Sequence, residues 1–379
     1  MNITFLIGNG FDINLGLKTS FSDFLKEYKK PRVEDSGVIK NFKLDFLKDE
    51  NLWSDAEMAF GKITDDFYSA KMTDKDFSDC HIDFCERLGE YLEKQENRLK
   101  IEENKFHLDF SSAIMNLTIG LSKLAAANIE MRMSPYGAVN IFNFVSFNYT
   151  RTIDRFVKRI QNTAMLNGPM HVRSEGGILI HVHGYTDSEM MLGVSNESQI
   201  SNKTLFENQY YKSQLIKPLW NALNENGVDE ATYELIKRSD LIYIYGMSLG
   251  ETDSLWWERI GDLLFQNPNL IVVIYVHKSF SQNLVERDKI IFRESKKDEF
   301  LRFAELSDDT KEQIKKRVYI TFDNIFSCLQ NLEVQEKMME VKRMEKEVLD
   351  TQVTEALVET AKKLKGAGKD VFSNIGSKI

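Results

Sequence analysis

Four short polar clusters carry the residue types in this chain that could do chemistry. They are Gly8-Asn9-Gly10-Phe11-Asp12, Asn148-Tyr149-Thr150-Arg151-Thr152, His181-Val182-His183-Gly184 and the run from Gly246-Met247-Ser248-Leu249-Gly250 to Asp253. Gly8 and Gly10 allow a tight turn and close approach of a ligand to the backbone. A helix starting just beyond them would aim free N–H groups at an anion, most commonly a phosphate. Taken alone, a G-x-G without a third glycine is as readily a plain turn. Asn148 offers an amide that both donates to and accepts from a ribose hydroxyl. His183 is suited to act as a general base near neutral pH. His181 alternates with it, so on one strand both point to the same face, and one of the two is as readily a structural histidine. Gly246 and Ser248 form a second turn open to close approach, and Asp253 could hold hydroxyls or brace the fold.

Chemistry of this kind needs elements that bring the clusters together. Each follows an apolar run that reads as a buried strand: Ile3 to Ile7, Val139 to Phe147, Gly177 to Gly184 and Asp240 to Gly246. Met190 to Val194, Asn269 to His277 and Arg317 to Phe322 read as further strands. Near-continuous apolar strands separated by helical stretches predict a parallel, Rossmann-like α/β sheet covered on both faces. In such sheets ligands bind outside the carboxyl ends of the strands, so the four clusters are expected to face one site. Ser20 reads as a helix N-cap with Asp23 returning the bond. Residues 40–135 carry apolar residues at helical spacings among many charges and read as a helical insertion. Within it, Trp53-Ser54-Asp55-Ala56-Glu57 predicts a helix with a buried tryptophan and an exposed carboxylate. From Val334 to Leu364 apolar residues recur every three or four positions. They predict a helical tail whose stripe packs on the body or on another subunit. The expected organisation is 1–39 with 136–328 as the nucleotide-binding domain, 40–135 as the insertion and 329–379 as the tail.

Bulk properties narrow the function classes. The chain has 379 residues, enough for one large or two smaller domains, and a formal net charge of −9. That balance argues against a dedicated nucleic-acid binder, which needs a clustered positive footprint. Three cysteines, Cys80, Cys85 and Cys328, leave no disulfide framework and point to a reducing compartment. With no basic leader and no apolar run long enough to span a bilayer, a cytoplasmic protein is expected, and a membrane is not an expected partner. Gly246-Met247-Ser248-Leu249-Gly250 matches a hydrolase nucleophile elbow. The triad fails, because His277 is the only later histidine and no acid closes a strand between them. Cys80, His81 and Cys85 lack a matching second pair, so no metal is expected.

The same clusters, with Gly16-Leu17-Lys18-Thr19-Ser20-Phe21, resemble the AbiH family of bacterial phage abortive-infection proteins, over residues 3 to about 260. More loosely, they resemble the sirtuin-like fold of defence NAD hydrolases such as the Thoeris effector. That resemblance implies NAD as substrate, with Asn148 and His183 catalytic. It implies cofactor-type contacts from Gly8, Asn9, Gly10, Phe11, Asp12, Thr19, Ser20, Gly246, Ser248 and Asp253. The backbone N–H groups of Gly8 to Phe11 would hold the pyrophosphate, with Asp12 near the ribose. Asn9, Phe147 and Thr150 depart from that pattern, which has alanine, threonine and aspartate there. Deacylation is disfavoured, since a sirtuin zinc module needs four cysteines. The expected function is a phage-defence effector that hydrolyses NAD at the nicotinamide–ribose bond, active as a homo-oligomer or on an activating partner. The alternatives are a non-catalytic sensor of NAD or an ADP-ribose-like nucleotide, and a partner-recruiting interaction protein.

Overall fold

In the computed structural model, residues 1–330 are described, except 46, 50–51, 100–103, 134–138, 162–172, 187–189, 203–208 and 279–285. The expected helical tail, from 331 on, lies outside the described residues. Six strands form one sheet: β1 (Asn2–Ile7), β2 (Val139–Ser146), β3 (Arg173–His181), β4 (Leu241–Tyr245), β5 (Ile271–Tyr275) and β6 (Val318–Thr321). All neighbours are parallel, in the order β3-β2-β1-β4-β5-β6. This is the order of doubly wound dinucleotide-binding sheets. The chain moves outward from β1 to β3, then returns to place β4 on the other side of β1. Between β1 and β4 the topology reverses, and a crevice opens at their carboxyl ends.

Alternation along β1 explains the two layers. Leu6 faces an aliphatic and tryptophan cluster with Ile242, Ile244, Trp256 and Trp257. Phe5 faces the other way, stacked 5.3 Å from Phe144 and tilted at 5.3 Å against Tyr243. Both faces are dry, as parallel strands require.

Helices α1 (Gly10–Asn14), α2 (Phe21–Tyr28), α3 (Gly37–Asp45), α4 (Ala56–Lys62), α5 (Thr64–Ser69), α6 (Asp74–Glu96), α7 (Asn104–Met115) and α8 (Lys123–Met133) lie between β1 and β2. Ser20 caps α2 by accepting from the Asp23 N–H at 3.1 Å. The long α6 begins in a capping box of Thr73 and Asp76. The inserted helices bury Phe24, Phe42, Trp53, Phe60, Phe67 and Phe84 in an aromatic core that also takes in Leu192, Val194 and Leu215. Then follow α9 (Thr152–Gln161), α10 (Gln209–Ser213), α11 (Lys217–Leu223), α12 (Val228–Lys237), α13 (Ser254–Gln266), α14 (Glu286–Leu301) and α15 (Asp308–Lys315). Among the described residues, no helix is long and apolar enough to cross a membrane.

Met190 to Val194 is not a strand, contrary to expectation. Only Val194 pairs, through a single bridge to Ile216, while Met191, Leu192 and Val194 are buried. An apolar run of this length signals burial, and here the burial is against the inserted helices.

Candidate active site

The loops after β1, β2, β3 and β4 enclose a cavity of about 950 Å³. Gly8, Asn9, Gly10, Asp12, Thr19, Ser20, Asn148, His183, Gly246, Ser248 and Asp253 all line it. Phe11 does not. Its side chain is fully buried among Phe110, Phe156, Tyr245 and Phe326, with edge-to-face contacts to all four.

The glycines serve a contact within the chain. Gly8 N–H donates to the Tyr245 carbonyl at 2.9 Å, and Gly10 N–H donates to the Gly246 carbonyl at 2.8 Å. Phe11 N–H donates to Gly8 at 3.0 Å. A Cβ on Gly8 would meet the Gly246 oxygen at 2.6 Å. A Cβ on Gly246, whose φ is +68°, would meet the Gly10 Cα at 2.7 Å. The loops after β1 and β4 are therefore pressed backbone to backbone. The N–H groups of Gly8, Gly10 and Phe11, expected to receive a pyrophosphate, already have carbonyl partners. Asn9 and Thr19 clasp each other at the rim: Thr19 Oγ1 donates to Asn9 Oδ1 at 2.5 Å, and Asn9 Nδ2 donates to the Thr19 carbonyl at 3.0 Å.

Below that seam sit Asp12 and Asn148. Asp12 is fully buried and accepts from Thr150 Oγ1 at 2.6 Å, while its Oδ1 has no hydrogen-bond partner. Burial pushes its pKa up to about 7, with Thr150 opposing and the Glu96 charge adding to the rise. Asn148 is 4% exposed; its amide lies close enough to Asp12 to help hold that carboxyl down, and neither its Nδ2 nor its Oδ1 makes a hydrogen bond of ordinary geometry. A buried amide so thinly partnered is rare in native proteins.

The two histidines part company. β3 ends at His181, so the strand alternation does not reach His183 and the expectation of one shared face fails. After Val182 N–H donates to the Ser146 carbonyl, the chain turns at Gly184, whose φ is +68°. His181 instead places Nε2 2.8 Å from Asp154 Oδ2 on α9, away from the cavity. His183 is 4% exposed, packed edge-on against Phe147, with Nε2 3.3 Å from Asp253 Oδ1.

Behind Asp253 runs a buried chain of charges. Lys217 Nζ lies 3.3 Å from the same Asp253 Oδ1 and 2.7 Å from Glu57 Oε2, and the Tyr149 hydroxyl donates to Glu57 Oε1. Burial works against the ammonium of Lys217, but Asp253 and Glu57 more than offset it and its pKa is raised. Burial likewise opposes the Asp253 carboxylate, but Lys217 and His183 hold it well below the usual carboxylate range. Tyr149 is pushed up by burial and by Glu57. Glu57, expected to be exposed, is 6% exposed. It sits in the first turn of α4, where Asp55 caps the Met58 N–H at 3.1 Å. Glu57, Lys217 and Tyr149 were all missed as site residues. The available signal was Lys217 itself, a lone cation between Leu215-Ile216 and Pro218-Leu219-Trp220. A charge inside an apolar run is either buried with a partner or not buried.

Ser248 is exposed at the mouth, and no hydrogen bond joins it to a histidine among the described residues. His277 instead places Nδ1 3.3 Å from the Tyr275 hydroxyl. A serine triad does not form.

Compared with known proteins, the chain matches one family model, described as Bacteriophage abortive infection AbiH, over residues 4–275. No curated protein and no solved structure matches it.

Proposed function

The chain belongs to the AbiH family of bacteriophage abortive-infection proteins, and from that premise we propose that the cavity binds NAD and hydrolyses its nicotinamide–ribose bond. Defence against phage by abortive infection is the family's role; the NAD chemistry is our reading. The observation that carries it is Asn148, an amide buried in the cavity wall beside Asp12, neither of whose polar atoms makes a hydrogen bond of ordinary geometry. Such a group wants a ligand that donates and accepts at once, as a ribose hydroxyl does. The position supports the same reading, since the cavity lies at the reversal point of a doubly wound sheet and has the volume for a dinucleotide.

In this mechanism nicotinamide leaves as the neutral base, taking the electrons of the glycosidic bond, and the ribose develops oxocarbenium character. Asn148 holds the ribose hydroxyls and the incoming water. Ionised Asp253 favours the Nε2–H tautomer of His183, which leaves Nδ1 as the ring's basic atom to take the proton from water. Asp12 stands beside Asn148, where cationic character on the ribose favours its ionised form. The likeness of the motifs to those of sirtuin-like NAD hydrolases supports the assignment, as does a defence role in which loss of NAD starves the infected cell. Free turnover would kill the host, so assembly into a homo-oligomer or a phage-derived cue would license the site.

NAD levels in cells expressing the wild type, Asn148→Ala and His183→Ala test this reading. Rapid loss with the wild type and at least about 100-fold slower loss with either variant is expected. If NAD stays constant while the purified protein is stabilised thermally by NAD or ADP-ribose, the cavity is a sensor that turns nothing over.

A further inference from the structure

The buried charges behind His183 come from separate parts of the chain. Glu57 lies on α4 of the inserted helices, Lys217 at the start of α11, Asp253 after β4 and Tyr149 after β2. Each link is short: Tyr149 hydroxyl to Glu57 Oε1, Glu57 Oε2 to Lys217 Nζ at 2.7 Å, and Lys217 Nζ to Asp253 Oδ1 at 3.3 Å. His183 Nε2 reaches that same oxygen, also at 3.3 Å. Lys217 gives a further hydrogen bond to the Thr252 carbonyl at 3.3 Å. Its backbone is fixed as well, since Lys217 N–H donates to the Val194 carbonyl at 3.0 Å. Burying an ammonium with two carboxylates costs much desolvation, and apolar residues would fill the space at less cost. The arrangement is therefore explained better by what it does to the imidazole than by stability.

We propose that Lys217 and Glu57 are positioning residues for His183: the ammonium, seated on Glu57, clamps Asp253, and Asp253 fixes the imidazole with its proton on Nε2. The role rests on the reading of His183 as the base, and it follows from charge. Imidazole and ammonium compete for one carboxylate oxygen. The ammonium therefore disfavours a second cation on the ring, while the Glu57 carboxylate favours one. Other charged or titratable groups near the ring are Asp55 at the α4 N-cap, Asp229 on α12 with Arg259 from α13, and Tyr149. None of these bridges Asp253.

The test reads the ring itself, so it does not depend on any NAD chemistry. Full-length protein is labelled with ¹⁵N-histidine, and the His183 signals are assigned with His183→Gln. In the wild type the Nε2–H tautomer is expected. Lys217→Met should lower the Nε2–H fraction of the neutral ring, since Asp253 is then no longer clamped, and Glu57→Gln should lower it less. Lys217→Arg should restore the wild-type pattern in large part. A purely structural pair would leave the tautomer ratio of His183 unchanged. An unchanged Nε2–H fraction in both variants overturns the proposal. If Lys217→Met does not fold, Glu57→Gln and Lys217→Arg decide it. A wild type that spares NAD but holds the Nε2–H tautomer, lost in Lys217→Met, removes the hydrolase reading and leaves the positioning intact. Where turnover is seen, Lys217→Met should lower kcat about tenfold or more with KM changed less than threefold.

Discussion

Two buried aspartate sites in this molecule are partnered to opposite ends. Among the inserted helices, Asp35 receives Lys43 at 2.8 Å, Arg87 at 3.3 Å and the Arg32 backbone N–H at 2.9 Å. Neighbouring Asp83 receives Arg87 at 3.2 Å and the Tyr28 hydroxyl at 2.8 Å. Every carboxylate oxygen of this pair has a donor. In the cavity wall, only one Asp12 oxygen takes a hydrogen bond of ordinary geometry, from Thr150, and neither polar atom of Asn148 takes or gives one. The side chains of Asp35 and Asp12 are both out of solvent. Burial acts upward on each. At Asp35 the Arg32 N–H and Lys43 more than offset it and hold the carboxyl below its usual range, whereas Asp12 is left at about 7. Depth of burial and the donors supplied together separate the two acids. The closed cluster holds helices together, and the open one lies in the cavity wall.

The comparison breaks first at Asp35. Asp35→Ala strands the buried Lys43 ammonium and removes one of the three carboxylates around Arg87, and should destabilise the protein by about 3–5 kcal/mol. Urea unfolding measures this, and a loss under about 1 kcal/mol would mean the closed cluster carries no structure. Asp12→Asn should act the other way. With a folded pKa of about 7 against 3.8 when unfolded, the native state binds the extra proton between those values, so wild-type stability falls as pH rises through that window. The variant has nothing to lose there. Its advantage should be absent below about pH 4 and grow to at most about 4 kcal/mol above pH 7. Melting at pH 5 and pH 8 checks it, and a difference independent of pH would refute the perturbed carboxyl. Smallest is Asn148→Leu, which removes an amide that makes no hydrogen bond of ordinary geometry within the fold. Stability should change by under about 1 kcal/mol in urea while nucleotide-induced stabilisation disappears. A loss of about 2 kcal/mol or more would show that the amide is bonded within the fold after all.

The sheet could be read from sequence because a strand buried on both faces must be apolar throughout, and Phe5-Leu6-Ile7 and Leu241 to Tyr245 have no other use. The convergence of Gly10, Asn148, His183 and Ser248 followed, because parallel strands end on one edge. The ion chain did not follow. Glu57 and Lys217 are 160 positions apart, and a charge on a helix reads as solvent-facing until its partner is known. The backbone contact at the glycine turn did not follow either, for a related reason. A glycine shows that something comes close, but not whether that is a phosphate or, as here, the backbone after β4.

That seam has a mechanical consequence. It rivets the half-sheet of β1, β2 and β3 to the half-sheet of β4, β5 and β6 directly beneath the cavity, with Gly8 and Gly10 bonded across it. Hinging the halves apart to admit a ligand would break those bonds and separate glycine backbones that touch. The floor is then a fixed anvil beneath the cavity. In hydrogen exchange, the amides of Gly8 and Gly10 should stay protected through every opening of the site that stops short of global unfolding.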